Sequence, residues 1–147
     1  MNSNINVRVA AIIIENDKLL MICHKKNDHE HYLLPGGRVE YMESLDTALK
    51  REMKEELNVD INVKDIAIVS DSIDEKGSRH TINICFMCDY VSGDYKVGDE
   101  DVLLSYKFVN CEDLQSLEVH PPINNELIKL LKNEDNNIYL GKLWKNS

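Results

Sequence analysis

An α/β layer architecture with a mixed β-sheet is predicted by three features of this chain of 147 residues. Short runs rich in Val and Ile recur along it, two helical stretches stand well apart among them, and turn residues separate the segments. Together they describe one domain spanning residues 1–147, long enough to bury a real core.

Taken in order, residues 6–15 are apolar and β-branched, Asn16-Asp17 reads as a turn, and residues 18–24 complete a hairpin of strongly buried strands. Residues 25–31 are polar and read as a solvated loop, with His29 and His31 in it. Residues 32–34 form a short strand that delivers the chain to Pro35-Gly36-Gly37. Ser44 is the expected N-cap of a helix ending at Leu57, since the segment has no Gly or Pro and is rich in strong helix formers. Residues 60–69 are rich in Ile and Val, and 71–78 read as a polar connection. Residues 79–90 alternate cleanly, with Ile82, Ile84, Phe86 and Cys88 on one side and Thr81, Asn83, Cys85 and Met87 on the other, so one core face is expected. Residues 92–101 are a polar loop and 102–109 a further strand. Residues 112–114 make a helical turn, Pro121-Pro122 opens a second helix through about Asn133, and the tail 138–144 is apolar enough to dock.

Composition narrows function. Seventeen basic against 26 acidic residues give a net charge of −9, unfavourable for binding an extended nucleic acid, which requires Lys and Arg to neutralise phosphates. The longest apolar run, 9–14, is too short to cross a membrane and no basic-then-apolar leader opens the chain, so a cytoplasmic protein is expected. Cys85 and Cys88 point to opposite faces of a strand and no second CxxC follows, which argues against a zinc site.

The first helix carries the chemistry. On a wheel of about 100° per residue, Leu45, Ala48, Leu49, Met53 and Leu57 share one apolar arc, with Glu52 and Glu56 inside it and Glu55 at its border. Carboxylates three and four apart repel, and partly buried ones need compensation. A hard divalent cation satisfies three converging oxygen ligands while keeping waters and recruiting substrate phosphates, so Glu52, Glu55 and Glu56 read as a magnesium or manganese site.

Gly37, Glu43, Arg51-Glu52-Met53, Glu55-Glu56 and Asn58-Val59, at the spacings in which they stand here, resemble the signature of the Nudix hydrolases (MutT-like). The match covers 23 residues and meets eight of nine specified positions. Asn58 departs from it, where the family has glycine, but Asn is the next best residue for a left-handed C-cap. Met42 stands where many relatives have a second glycine. The resemblance implies the Nudix α/β/α sandwich and metal-dependent hydrolysis of a nucleoside diphosphate linked to another moiety. It implies Glu52, Glu55 and Glu56 as metal ligands beside the Gly37 backbone, with Glu55 or Glu56 handling the proton and Arg51 orienting the carboxylates. Crowded carboxylates raise one another's affinity for protons, which suits such a group to act as a base. Glu43, His80 and, in the loop beyond the signature, Glu100 are further candidates for substrate contact or an additional carboxylate. The expected partner is a small nucleoside diphosphate derivative; homodimerisation is left open. Two other classes remain at this point: a nucleotide-sensing module without turnover, and a metal-binding interaction domain.

Overall fold

Two left-handed turns fold the first third of the chain back on itself. The computed structural model describes residues 4–97 and 103–143. Strand β1 (Asn6–Ile12) and the short β2 (Ile14–Glu15) lead into Asn16 and Asp17 at φ 52° and 62°, and β3 (Lys18–Lys26) returns. Asn and Asp accept this backbone region more readily than other side chains, and consecutive residues there match the twist of a hairpin. The same device recurs at Asn27-Asp28, φ 52° and 61°, before β4 (His29–Leu33). Residues 25–31 are therefore a hairpin rather than the solvated loop expected. The polar side chains of β4 misled because its lateral neighbour beyond Tyr32 is only an isolated bridge to Val119.

After β5 (Gly36–Arg38) the chain enters α1 (Leu45–Leu57), crosses β6 (Asp60–Ile73) and returns as β7 (His80–Ser92). Strand β6 runs further than the polar composition of 71–78 suggested, because Ser72 and Ile73 pair with Thr81 and His80 in the β7 ladder. Then come β8 (Leu103–Val109), the single turn α2 (Cys111–Leu114), α3 (Asn124–Leu131) and β9 (Tyr139–Leu143). The tail docks by adding β9 parallel to the edge of β6, with Leu140 and Leu143 packed against the core.

One sheet has the order β5-β1-β7-β6-β9, with β1 and β7 parallel and β1 and β5 antiparallel; the other joins β2, β3, β4 and β8 through β3. The sheets separate two apolar layers. Val9, Ala11, Ile13, Leu20, Phe86 and Cys88 pack with Leu49, Met53 and Leu57 of α1. Ala10, Ile12, Met21, Cys85 and Met87 face the opposite layer, which Leu114 and Leu127 close from α2 and α3. Both faces of β7 are thus core, where one was expected: each face of the mixed sheet carries helices, giving the α/β/α sandwich and the mixed sheet that the sequence implied.

Helix α1 lies against β5, β1 and β6. Ala48, Leu49, Met53 and Leu57 are fully buried. Each of the three large side chains contributes about 1.5–3 kcal/mol, which outweighs the few tenths of a kcal/mol by which its carboxylates repel pairwise. Ser44 precedes the helix with extended backbone, as an N-cap should, but its hydroxyl meets Asp46 and Thr47 side chains rather than a backbone N–H. At the other end Asn58 adopts φ 60°, ψ 35°, its N–H returning to the Lys54 carbonyl at 3.0 Å. Its amide also donates to the Asp94 carbonyl at 3.1 Å. We expect Asn58→Val to cost about 1–2 kcal/mol, since a β-branched side chain resists this region, while Asn58→Gly is tolerated. Thermal melts of the three proteins check this, and equal stability of the valine variant would show that the helix end does not depend on the left-handed residue.

Candidate active site on helix α1

Four residues of the signature form one hydrogen-bonded unit around Arg51. Its Nε and Nη2 donate to the two oxygens of Glu43 at 2.7 and 2.8 Å, a fork-to-fork pair across the loop that precedes the helix. Its Nη1 donates to Glu52 at 2.8 Å and to Glu55 at 3.3 Å, and Nη2 also reaches the Arg38 carbonyl at 3.2 Å. A planar guanidinium with five donors suits this task, because it can bind several oxygens whose positions are fixed by different backbone segments. The carboxylates around it raise the Arg51 pKa further, the hydrogen bonds it donates to Glu43 most of all.

Glu43 is the other half of that pair. Arg51, and after it the Glu40 N–H at 2.9 Å, lower the Glu43 carboxyl to about 2 from a usual 4.5. A folded-state value below the unfolded one means that the pair stabilises the fold above about pH 4.5 and loses that contribution as pH falls toward 2. Denaturant titrations of Glu43→Gln and the parent should therefore show a stability gap at about pH 6 that narrows at about pH 4 and about pH 2.5. A gap independent of pH would show that Glu43 acts by packing rather than by charge.

Glycines bring the incoming strand against the helix. The Gly36 N–H donates to Glu56 Oε1 at 3.1 Å. A Cβ on Gly36 would run into the backbone of Val9 and Ala10, so β5 can lie beside β1 only with glycine there. A Cβ on Gly37 would instead meet the carboxylate of Glu52. Glu52 thus lies directly over bare backbone, with its side chain largely covered, whereas Glu55 is mostly exposed.

Of the residues singled out in the sequence, Gly37, Glu43, Arg51, Glu52, Glu55 and Glu56 come together here. His80 does not: it opens β7 opposite Ile73, on the β6–β7 hairpin. Glu100 lies outside the described residues. His31 stacks between His24 and His120, with ring centroids 5.0 and 4.5 Å away, and His29 bonds Glu118 at 2.9 Å. Among the described residues no three His, Cys, Asp or Glu side chains already converge as a closed metal cage. Glu52 and Glu55 of α1 are gathered as an ion-paired cluster with Arg51, and Glu56 accepts from the Gly36 N–H beside them. Their all-oxygen donor set and the open backbone at Gly37 fit a hard cation that keeps waters. Sequence reasoning missed Arg8 of β1, a half-buried cation whose Nη2 donates to the Leu34 carbonyl at 2.8 Å. The signal was there, a single charge inside the apolar run from Val7 to Ile14.

No helix among the described residues is long and apolar enough to cross a membrane. The sequence is 38% identical over 95 residues to an ADP-ribose pyrophosphatase of Methanocaldococcus jannaschii, covering 64% of this chain and 56% of that protein. It is 30% identical over 131 residues to the nucleoside triphosphatase NudI of Escherichia coli, covering 82% and 90%. The structure superposes on a MutT NUDIX hydrolase of Burkholderia pseudomallei with a TM-score of 0.72 at 23% identity, covering 86% and 97% of the two chains. A MutT protein of Methanosarcina mazei gives 0.71 at 24% identity, covering 93% and 99%. Nudix hydrolases generally use divalent metals. The profile of the NUDIX domain matches residues 5–131, and the chain belongs to that family.

Proposed function

We propose that this protein is a pyrophosphohydrolase that cleaves a small nucleoside diphosphate derivative, with Mg2+ or Mn2+ held by Glu52, Glu55 and Glu56. The observation that carries the reading is the gathering of these carboxylates, with Arg51, over the bare backbone of Gly36 and Gly37. A bound cation supplies charge neutralisation for the diphosphate oxygens and acidifies the attacking water. The residues do the rest. Glu52 is fixed between Arg51 and Gly37, and Glu56 is fixed by the Gly36 N–H, so two carboxylates are aimed before any ligand arrives. Glu55, the most exposed of the three and held by Arg51 at 3.3 Å, has an edge open to water from which it can take a proton. Glu43 positions Arg51 rather than contacting substrate, since both its oxygens are already engaged. The family relatives include an ADP-ribose pyrophosphatase and a nucleoside triphosphatase, which supports a small nucleotide conjugate or nucleotide as substrate. A net charge of −9 argues the same way, because a nucleic-acid strand would bring many phosphates without cations to meet them. A cytoplasmic setting fits such a substrate.

The test is release of phosphate, pyrophosphate or nucleotide from ADP-ribose, nucleoside triphosphates, nucleotide sugars, dinucleoside polyphosphates and a capped oligonucleotide. It is run with magnesium and with manganese at about 0.15 M salt. Turnover of a small compound supports the reading. Preference for the capped oligonucleotide in kcat/KM overturns the substrate class, and metal binding with no turnover of any compound points to a module without catalysis.

A further inference from the structure

Arg8 is a charge with too few partners for its surroundings. It lies on the β1 face that carries Ala10 and Ile12, and it stays partly exposed where those two are buried. Burial works against its charge, while Cys85, Glu56 and Glu52 in turn favour it. A guanidinium has five N–H donors, and partial burial of an ion without compensation costs several kcal/mol. Among the described residues Arg8 makes one hydrogen bond, to the Leu34 carbonyl, and no ion pair within contact distance. Its register partner on β7, Asn83, is buried and directs its amide elsewhere, to Ser72 Oγ at 2.8 Å and Ser70 Oγ at 3.4 Å.

The location says what completes it. The carbonyl that Arg8 grips belongs to Leu34, two residues before Gly36, whose N–H grips Glu56. One short length of backbone therefore has a guanidinium attached at one point and a carboxylate of the α1 cluster attached just beyond. We propose that Arg8 binds a phosphoryl oxygen of the substrate's diphosphate through the donors that Leu34 leaves unused. The identity of that anion rests on the hydrolase reading above, and binding measured without turnover separates the two. The planar fork of arginine matches two phosphoryl oxygens, which a lysine cannot do from the same stem.

The experiment pairs Arg8→Lys with Arg8→Gln. Either could still bond the Leu34 carbonyl through a side-chain N–H, so a purely structural tie survives in both, and thermal melts report whether it does. Equilibrium binding of ADP in the presence of Mg2+ is the primary readout, with KM and kcat for ADP-ribose beside it. Expected are an ADP affinity weakened about tenfold or more in Arg8→Lys and further in Arg8→Gln, and a rise in KM larger than any fall in kcat. Folded variants that bind ADP as the parent does overturn the proposal, and so does a parent that binds no ADP. If the parent binds ADP through Arg8 yet hydrolyses nothing, the phosphate site stands and the hydrolase reading fails. Should Arg8→Gln not fold, Arg8→Lys alone decides.

Discussion

Glu56→Gln should lower turnover by about a hundredfold or more while leaving the fold intact. The substitution is chosen because the amide keeps an oxygen where the carboxylate has one. The Gly36 N–H that now donates to Glu56 Oε1 at 3.1 Å retains an acceptor, so the approach of β5 to α1 is preserved. What is lost is the negative charge, and with it the affinity of that side chain for a hard cation. Stability should change little and could rise by a few tenths of a kcal/mol, since one member of a repelling i, i+4 pair with Glu52 is neutralised. Activity at increasing magnesium and a thermal melt make the measurement. Near-normal turnover at saturating magnesium, in a protein that melts as the parent does, would show that the chemistry is not seated on this helix.

How much of this was legible in the sequence depends on whether the information was local. The helix and its left-handed end were readable because apolar spacing and Asn58 act within a few residues of themselves, and the structure places both where the pattern does. The first hairpin was readable for the same reason, through Asn16-Asp17. The second hairpin uses the chemically identical pair Asn27-Asp28, yet the residues that flank it, Lys25-Lys26 before and His29 to His31 after, are polar and gave no alternation to detect. Polar composition also hid the last residues of β6, which are strand only because β7 pairs with them. The parallel pairing of β1 with β7, some 75 residues apart in sequence, has no local signature at all. That pairing sets Arg8 beside Asn83, which is why the position of Arg8 could not be weighed from the sequence alone. The carboxylate cluster was legible as a motif. The division of labour inside it was not, because whether Glu43 faces a metal or Arg51 depends on how the loop 39–43 folds back.

Gly37→Ala should separate catalysis from folding at a position where the two are usually lost together. At Gly36 they are inseparable: a methyl group there meets the β1 backbone, which cannot move without parting the strands. At Gly37 the added methyl group meets the end of the Glu52 side chain, which can rotate away. The backbone at Gly37 lies outside the left-handed region, so alanine imposes no strain of its own there. The cost to stability should therefore stay below about 1 kcal/mol, partly offset because alanine restricts the unfolded chain more than glycine does. Turnover is another matter. Glu52 is bonded to Arg51 at 2.8 Å, and displacing it disturbs both its own aim and the guanidinium that also holds Glu55. A misplacement of about 1 Å in a reacting array can cost about a hundredfold in rate. We expect a loss of that order in kcat, with a melting temperature close to the parent's. The companion variant Glu52→Gln, whose amide occupies the same place over unmodified Gly37, should also lose activity. If Gly37→Ala keeps full turnover, Glu52 does not need its place over the glycine, and the reading of this carboxylate as a fixed ligand is wrong.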